Sequence, residues 1–142
     1  LVVAKDNDTI KSFEDLEKAQ KIAMGEPDSV PAGKYASETL TSLNLLDKVK
    51  GKLVYAKDVR QVLAYVESGD AEAGLVYQTD ANISDKVKVA AVADASLHSS
   101  LVYPVAVVKD SKNQEEAKAF VDFLSSDKAA AIFEKYGFTM VK

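Results

Sequence analysis

Residue types that commonly carry out catalysis are scarce in this chain, which contains one histidine, His98, and no cysteine. His98 lies in a loop-like segment and is followed directly by Ser99 and Ser100. Neighbours in sequence rarely give a serine nucleophile and its histidine base the geometry that they need. We therefore expect His98 to pack in a loop or to lie at the surface, and we expect the protein not to be an enzyme.

The acidic residues follow a helical pattern rather than the spacing of metal ligands. Near the starts of predicted helices, where negative charge is favourable to the helix dipole, the chain carries Glu14, Asp15, Glu17, Glu115 and Glu116. A metal site would need several histidine or carboxylate ligands that converge, and no such spacing is present. The sequence therefore predicts no catalytic carboxylate pair, no direct metal ligands and no cofactor.

Uncharged hydrogen-bond donors occur where predicted strands meet predicted helices. The first of these corners covers residues 26–33. With Pro31 at the first helical position, which proline prefers, the backbone N–H groups of Ala32 and Gly33 have no acceptor inside the helix. Unpaired amides at a helix N-terminus suit an oxyanion. A helix start with nothing bound fits the same residues, so this corner alone does not define a site.

Two further corners have the same character. Asp58 is expected to cap a helix, which leaves the N–H of Val59 in the first turn, and Arg60 is expected to be solvated. Tyr77 ends a predicted strand over residues 73–77, where its hydroxyl can donate to a ligand. Each corner alone is also compatible with a capped helix or a half-buried tyrosine. Together the three corners predict a site in which neutral donors hold an anion.

The composition is that of a folded protein with one domain, or one and a half. The chain has 142 residues, of which 47% are hydrophobic, and a net charge of −4 from 18 basic and 22 acidic residues. This balance offers no basic patch for nucleic acid. No apolar run approaches the roughly 20 residues that span a bilayer. Residues 1–4 resemble a strand already in progress, so we expect a mature fragment or a truncated chain.

Short apolar runs alternate with amphipathic helices, which is typical of an α/β sheet. Helices are predicted from Phe13, from about Ala32 and from Val59, and two more near the C-terminus carry apolar stripes. In such a sheet the carboxyl ends of the strands form the edge where ligands bind. The predicted strands cover residues 1–4, 21–24, 52–56, 73–77, 86–92 and 101–108.

Several segments resemble the periplasmic molybdate-binding proteins of ABC transporters. The first is PDSVPAGKYA at residues 27–36, and the second comprises VRQVLAYV at residues 59–66 and AGLVYQTDA at residues 73–81. Residues 102–107 and 120–138 are similar as well. The resemblance implies an α/β, periplasmic-binding-protein-like (type II) lobe with a central, mostly parallel sheet flanked by helices, plus the C-terminal helices of a partial second lobe.

Carried over by motif, the resemblance implies a tetrahedral molybdate or tungstate held by the N–H of Ala32, the N–H of Val59 and the hydroxyl of Tyr77. It implies capture for an ABC importer, with the membrane permease as partner. It also implies a location in the periplasm or on the extracellular face of the cytoplasmic membrane. A lipid anchor would depend on an N-terminal cysteine, which this chain does not contain.

The resemblance divides the chain into a crossing strand at residues 1–4, a complete ligand-binding lobe at residues 5–101, and a return strand with the C-terminal helices of the other lobe at residues 102–142. The family's N-terminal segment, with two serine-containing ligand turns, has no counterpart here, so we expect half a site and weak binding. The apolar faces of the C-terminal helices would then be bare, which predicts a homodimer or a swapped arrangement.

Three alternatives stay open. The ligand could be another oxyanion such as sulfate or phosphate, or an organic anion. The chain could be the effector-sensing domain of a transcription regulator, which shares this fold and would need a DNA-binding segment upstream. The third alternative is an enzyme on the same scaffold, although His98 would be its only candidate for a histidine base.

Overall fold

A computed structural model of the protein describes residues 1–140. The chain forms two compact units, one over Leu1–Ser100 and one from Leu101 onward. Among the described residues, the first unit contains five strands and the second contains two helices.

The strands of the first unit form one sheet. They are β1 (Val2–Ala4), β2 (Ile22–Gly25), β3 (Leu53–Ala56), β4 (Ala73–Gly74) and β5 (Val87–Val89), in the spatial order β3-β2-β4-β1-β5. β2 pairs in parallel with β3 and β4, whereas β1 pairs antiparallel with β4 and β5. Four strands therefore run in one direction and β1 runs opposite to them, which confirms the mostly parallel central sheet.

Four α-helices accompany this sheet. The longer ones are α1 (Pro31–Ser42) and α3 (Val59–Ser68), and the single turns are α2 (Leu46–Val49) and α4 (Gln78–Ala81). α3 ends at Gly69, whose φ of 79° is left-handed. A glycine adopts that conformation without strain from a side chain, so Gly69 is suited to end the helix.

The alternation of side chains along β2 divides the core into two layers. Ile22 and Met24 pack in one buried cluster with Leu40 of α1, whereas Ala23 packs in another with Val62 of α3. Because successive side chains of a strand point to opposite faces, α1 and α3 cover opposite faces of the sheet. Parallel strands need this double cover, because both of their faces are apolar.

The second unit contains α5 (Gln114–Leu124) and α6 (Asp127–Lys135). Ser126 caps α6, because its Oγ accepts from the N–H of Ala129 at 3.3 Å. Gly137 follows this helix with a φ of 92°. Among the described residues, no helix is both long enough and apolar enough to cross a bilayer.

The strand predicted over residues 101–108 is wrong. These residues have no regular secondary structure, and Val102, Val105 and Val108 are 54%, 57% and 72% exposed. An apolar run becomes a strand only where a neighbouring strand supplies hydrogen bonds, and no strand within residues 1–140 pairs with this one. Pro104 also has no backbone N–H to donate.

The helix predicted from Phe13 is only a short 3-10 helix, Glu14–Lys18. No side-chain hydrogen bond caps this turn. The carboxylate of Asp15 instead accepts from the backbone N–H groups of Lys11 and Ser12, at 2.9 and 3.2 Å. These hydrogen bonds hold Asp15 against the loop that precedes it. Local bonds of this kind compete with helix formation, which agrees with the short 3-10 helix at this place.

Candidate functional site

The three candidate donors follow three neighbouring strands. Ala32 lies at the start of α1, after β2; Val59 begins α3, after β3; and Tyr77 precedes α4, after β4. β3, β2 and β4 are adjacent and parallel, so their carboxyl ends lie at one edge of the sheet. The topology therefore puts all three helix starts along the edge where α/β proteins bind ligands.

The start of α1 leaves one amide without an acceptor. Val30 precedes the helix without a side-chain cap, and Pro31 occupies the first position, as predicted. The Val30 carbonyl accepts from the N–H of Gly33 at 2.9 Å and from that of Lys34 at 3.1 Å. The prediction that Gly33 offers an unpaired N–H is therefore wrong. The N–H of Ala32, in contrast, has no acceptor within residues 1–140.

The start of α3 carries a reciprocal cap. Asp58 Oδ1 accepts from the N–H of Gln61 at 2.8 Å, and Gln61 Oε1 accepts from the N–H of Lys57 at 2.9 Å. This is a variant of the capping box, and it confirms the prediction that Asp58 caps the helix. The cap occupies the third amide of α3. The first amide, that of Val59, has no acceptor in the described part of the chain.

Tyr77 lies at the start of a helical turn rather than at the end of a strand. β4 ends at Gly74, so the prediction of a strand that reaches Tyr77 is wrong. The Tyr77 carbonyl accepts from the N–H groups of Asp80 and Ala81, both at 3.1 Å, and its side chain is half-buried. The tyrosine is therefore held at the same edge by α4.

Charged side chains accompany the amides at this edge, among them Asp80 and Arg60. Burial raises the pKa of Asp80 above its ordinary value, and the positive charge of Arg60 opposes that shift. Arg60 itself is exposed, as predicted. Because the carboxylates of Asp58 and Asp80 accompany the guanidinium of Arg60, this edge does not carry only positive side chains. An anion here would depend on backbone dipoles and hydrogen bonds.

His98 packs in a loop, as predicted, against α1. Its ring meets that of Tyr35 edge-on at a centroid distance of 5.8 Å, and its Nδ1 lies 2.9 Å from the carbonyl oxygen of Ser99. The hydroxyl of Ser99 donates to Glu38 at 2.8 Å. His98 and Ser99 therefore do not form a nucleophile and base.

An open groove of about 590 Å³ lies along the outer surface of α1 and contains none of the three candidate donors. The residues that line this groove are Pro27, Asp28, Lys34, Ser37, Glu38, Thr41 and Ser42.

Within residues 1–140, no three histidine or carboxylate side chains come together in a way that could hold a metal ion.

Sequence analysis missed a close backbone contact between the end of β2 and the start of α1. A Cβ atom built on Gly33 would lie 2.1 Å from the carbonyl oxygen of Gly25. The sequence signal for this contact is a pair of glycines that flank a strand-to-helix loop. A glycine in that position has several explanations, so the signal identifies no partner.

The sheet order, the helices on both faces and the open amides at one edge define a class of protein, namely a ligand-binding α/β lobe. The chain belongs to the family of bacterial extracellular solute-binding proteins, whose family model matches residues 1–139. Its family is therefore one of solute-binding proteins and not of enzymes.

Relatives with known names support this assignment. The chain is 56% identical over 140 residues to YvgL of Bacillus subtilis, whose name describes it as an ABC transporter substrate-binding lipoprotein. It is 47% identical over 122 residues to the molybdate-binding protein ModA of Haemophilus influenzae. The alignments cover 98% and 86% of this chain but 54% and 48% of those proteins. The chain thus spans about half the length of these relatives.

A solved structure shows the same fold. The protein is described as the substrate-binding domain of a molybdenum ABC transporter from Clostridium difficile, and it superposes with a TM-score of 0.89 at 49% identity. The match covers 99% of this chain and 62% of that chain. The periplasmic-binding-protein-like α/β fold is therefore confirmed.

Proposed function

We propose that this chain captures molybdate or tungstate for delivery to an ABC importer. The observation that carries the proposal is the set of three helix starts at one sheet edge, two of which leave a backbone amide without an acceptor in the described structure. The names of ModA and of the Clostridium difficile domain support molybdate as the oxyanion.

The proposed ligand contacts are the N–H of Ala32, the N–H of Val59 and the hydroxyl of Tyr77. Both amides lie in the first turn of longer helices, of 12 and 10 residues, where the helix dipole adds to the hydrogen bond. Neutral donors suit a tetrahedral dianion, because its oxygens accept from several directions and no opposing charge has to be buried. The oxyanion is the transported cargo and not a cofactor.

These residues supply only part of the proposed site. The resemblance implies two further serine-containing turns, which residues 1–142 do not include. A hydrogen bond to a charged group contributes about 1.5–3 kcal/mol. Without two or three such donors, binding is weaker by about 3–9 kcal/mol, which corresponds to roughly two to six decades in affinity.

Titration of the ¹⁵N-labelled chain with sodium molybdate tests the site residue by residue. We expect the amide signals of Ala32 and Val59 to shift together with a single dissociation constant, while the signals of Gly51 and Gly69 stay constant. Sodium sulfate at equal ionic strength is the control. If sulfate produces the same shifts at the same concentration, the alternative of another oxyanion is favoured. If molybdate shifts neither amide, the proposed function is wrong.

The division into lobes is part of the proposal. Residues 5–101 form the ligand-binding lobe, and residues 102–142 belong to the other lobe, although their return segment is not a strand in this structure. The boundary between the compact units after Ser100 supports this division. Residues 1–4 are proposed as a strand that crosses between lobes, and β1 lies within the sheet between β4 and β5.

The proposed partners are a membrane permease and, for this chain, a second copy of itself. The extracellular family supports a location outside the cytoplasmic membrane, and the lipoprotein name of YvgL supports a membrane-anchored form in the periplasm or at the cell surface. A homodimer is favoured by the exposed aromatic and aliphatic side chains of α5 and α6, such as Phe120 at 59% and Ile132 at 49%.

A further inference from the structure

We propose that Gly33 is a positioning residue for the oxyanion site. Its packing against the carbonyl group of Gly25 fixes the first turn of α1, and thereby the position of the Ala32 amide. The inference rests on the proposed function, because it concerns how one of the proposed ligand contacts is held.

The contact is between backbone groups and cannot be relieved by rotating a side chain. A Cβ on Gly33 would lie 2.1 Å from the carbonyl oxygen of Gly25, 2.5 Å from its carbonyl carbon and 3.0 Å from the carbonyl carbon of Glu26. Real Cβ atoms do not approach other atoms this closely. Any side chain at position 33 therefore forces α1 and the end of β2 apart by about 1 Å, which is enough to break a hydrogen bond of ordinary length.

Conformation does not explain this glycine. Gly33 lies inside α1 and does not have a positive φ. Glycine also weakens a helix relative to alanine. In return, the absence of a side chain at Gly33 lets α1 approach β2 closely. The carbonyl group of Gly25 lies where the Cβ of any other residue at position 33 would be.

The contact between Gly33 and Gly25 also links the Ala32 amide to the Val59 amide through the sheet. Gly25 is paired with Ala56 of β3, and the N–H of Glu26 donates to the Ala56 carbonyl at 2.9 Å. β3 leads directly into α3 and its first residue, Val59. Gly33 therefore sets the start of α1 against a strand pair that also holds the start of α3, so the spacing of the Ala32 and Val59 amides depends on it.

Gly25 contributes its own lack of a side chain. A Cβ there would lie 2.6 Å from Cγ1 of Val30 and 3.1 Å from the backbone nitrogen of Gly33. Cβ of Val30 would lie 2.9 Å away. A rotamer change of Val30 moves Cγ1 but not Cβ, so the clash at Gly25 is relieved only in part, yet its closest contact is to a side chain and not to backbone. A substitution of Gly33 therefore tests the backbone contact more directly than a substitution of Gly25, because the closest obstacles at Gly33 are backbone atoms.

The test compares molybdate titrations of the ¹⁵N-labelled wild type, Gly33→Ala and Gly51→Ala. Gly51 is the matched control, because a Cβ there meets nothing within 4 Å. We expect Gly51→Ala to behave as the wild type. We expect Gly33→Ala to lose the shift of the Ala32 amide and to bind molybdate about tenfold to a hundredfold more weakly, the loss of one charge-assisted hydrogen bond.

A residue that only stabilises the fold would lower the midpoint of unfolding and leave the dissociation constant of the folded protein unchanged. That result for Gly33→Ala, with the Ala32 shift retained, would overturn the inference while the proposed function stands. A wild type that does not respond to molybdate contradicts the proposed function itself.

A measurement on the unliganded wild type covers the case in which Gly33→Ala does not fold. If the contact fixes the start of α1, the ¹⁵N order parameters of Ala32 and Gly33 reach about 0.85, the value of rigid backbone. Values below about 0.6 would show a mobile first turn and would overturn the positioning role.

Discussion

Glu38 Oε2 accepts two hydrogen bonds from Ser99, one from its backbone N–H at 2.7 Å and one from its hydroxyl at 2.8 Å. Two other residues of α1 hold the same segment. The hydroxyl of Ser42 donates to the carbonyl of Leu97 at 2.9 Å, and Tyr35 packs against His98. α1 therefore fastens the last residues of the first unit, immediately before the chain enters the second.

Glu38→Ala is expected to release this segment. The substitution removes both hydrogen bonds to Ser99, so the amide hydrogen of Ser99 should exchange with solvent markedly faster, while amides in β2 keep their protection. Hydrogen exchange followed by NMR measures both. Glu116→Ala, on an exposed face of α5, is the control and should leave Ser99 unchanged. Unchanged exchange in Glu38→Ala would show that Glu38 does not hold the segment.

The same contact should depend on pH in the acidic range. The hydrogen bonds from Ser99, first its backbone N–H and then its hydroxyl, lower the pKa of Glu38 below its ordinary value of 4.5. A carboxyl whose pKa is lowered by folding stabilises the native state above the ordinary value, and this stabilisation is lost as the pH falls through the lowered pKa. The Ser99 amide shift should therefore titrate with a midpoint below 4.5. A midpoint above that value would contradict the contact.

Asp58→Ala should destabilise the protein by about 1 kcal/mol, within a range of about 0.5–2 kcal/mol, because it removes the cap of α3. Urea denaturation measures the change in the free energy of unfolding. Asp58→Asn is the conservative control, since asparagine caps helices as well as aspartate does. Equal losses for both substitutions would indicate that the carboxylate acts through its charge rather than through its hydrogen bond to Gln61.

Isothermal titration calorimetry of the 142-residue chain with molybdate should show binding weaker than micromolar. The reason is that three neutral donors cannot replace the larger donor set that the family resemblance implies. Tungstate, an anion of similar shape and charge, should bind comparably. Micromolar or tighter binding would show that the donors present in this chain are sufficient.

Sedimentation velocity at increasing concentration should show self-association through the second unit. Phe120 and Ile132 are largely exposed, and Leu124 and Phe133 are half-buried, so α5 and α6 present an apolar surface that association would cover. Phe120→Asp should shift the distribution toward monomer, and the matched control Lys118→Asp should not. A wild type that sediments as a monomer at every concentration contradicts the homodimer.

Local features of the first unit were largely predictable. Pro31 starts a helix because its fixed φ suits the first helical position. Asp58 directly before the apolar pattern predicts a capped start for α3, and Gly69 ends that helix because glycine accepts a left-handed φ. Each of these signals acts within one or two turns of chain, so the sequence alone carries it.

Features that depend on distant partners were not predictable. The run at residues 101–108 has the composition of a strand, yet no described strand pairs with it. Tyr77 directly precedes α4 and does not end β4, because β4 ends at Gly74 and the carbonyl of Tyr77 already accepts from the N–H groups of the helical turn. Gly33 acts through the carbonyl of Gly25, and not through an unpaired N–H of its own.

The amino-acid sequence by itself determined the periodicity of the helices, their caps and the alternation of strands and helices, because propensity and hydrogen bonding within a few residues decide these. Only the tertiary structure decided that β3, β2 and β4 end side by side, that Gly33 meets Gly25, and that Glu38 meets Ser99. The sheet order and the contact of Glu38 with Ser99 join segments that are far apart along the chain and leave no local pattern, and the glycine pair 25/33 is a local pattern that names no partner. These contacts form only when burial of the two apolar layers brings the strands into register.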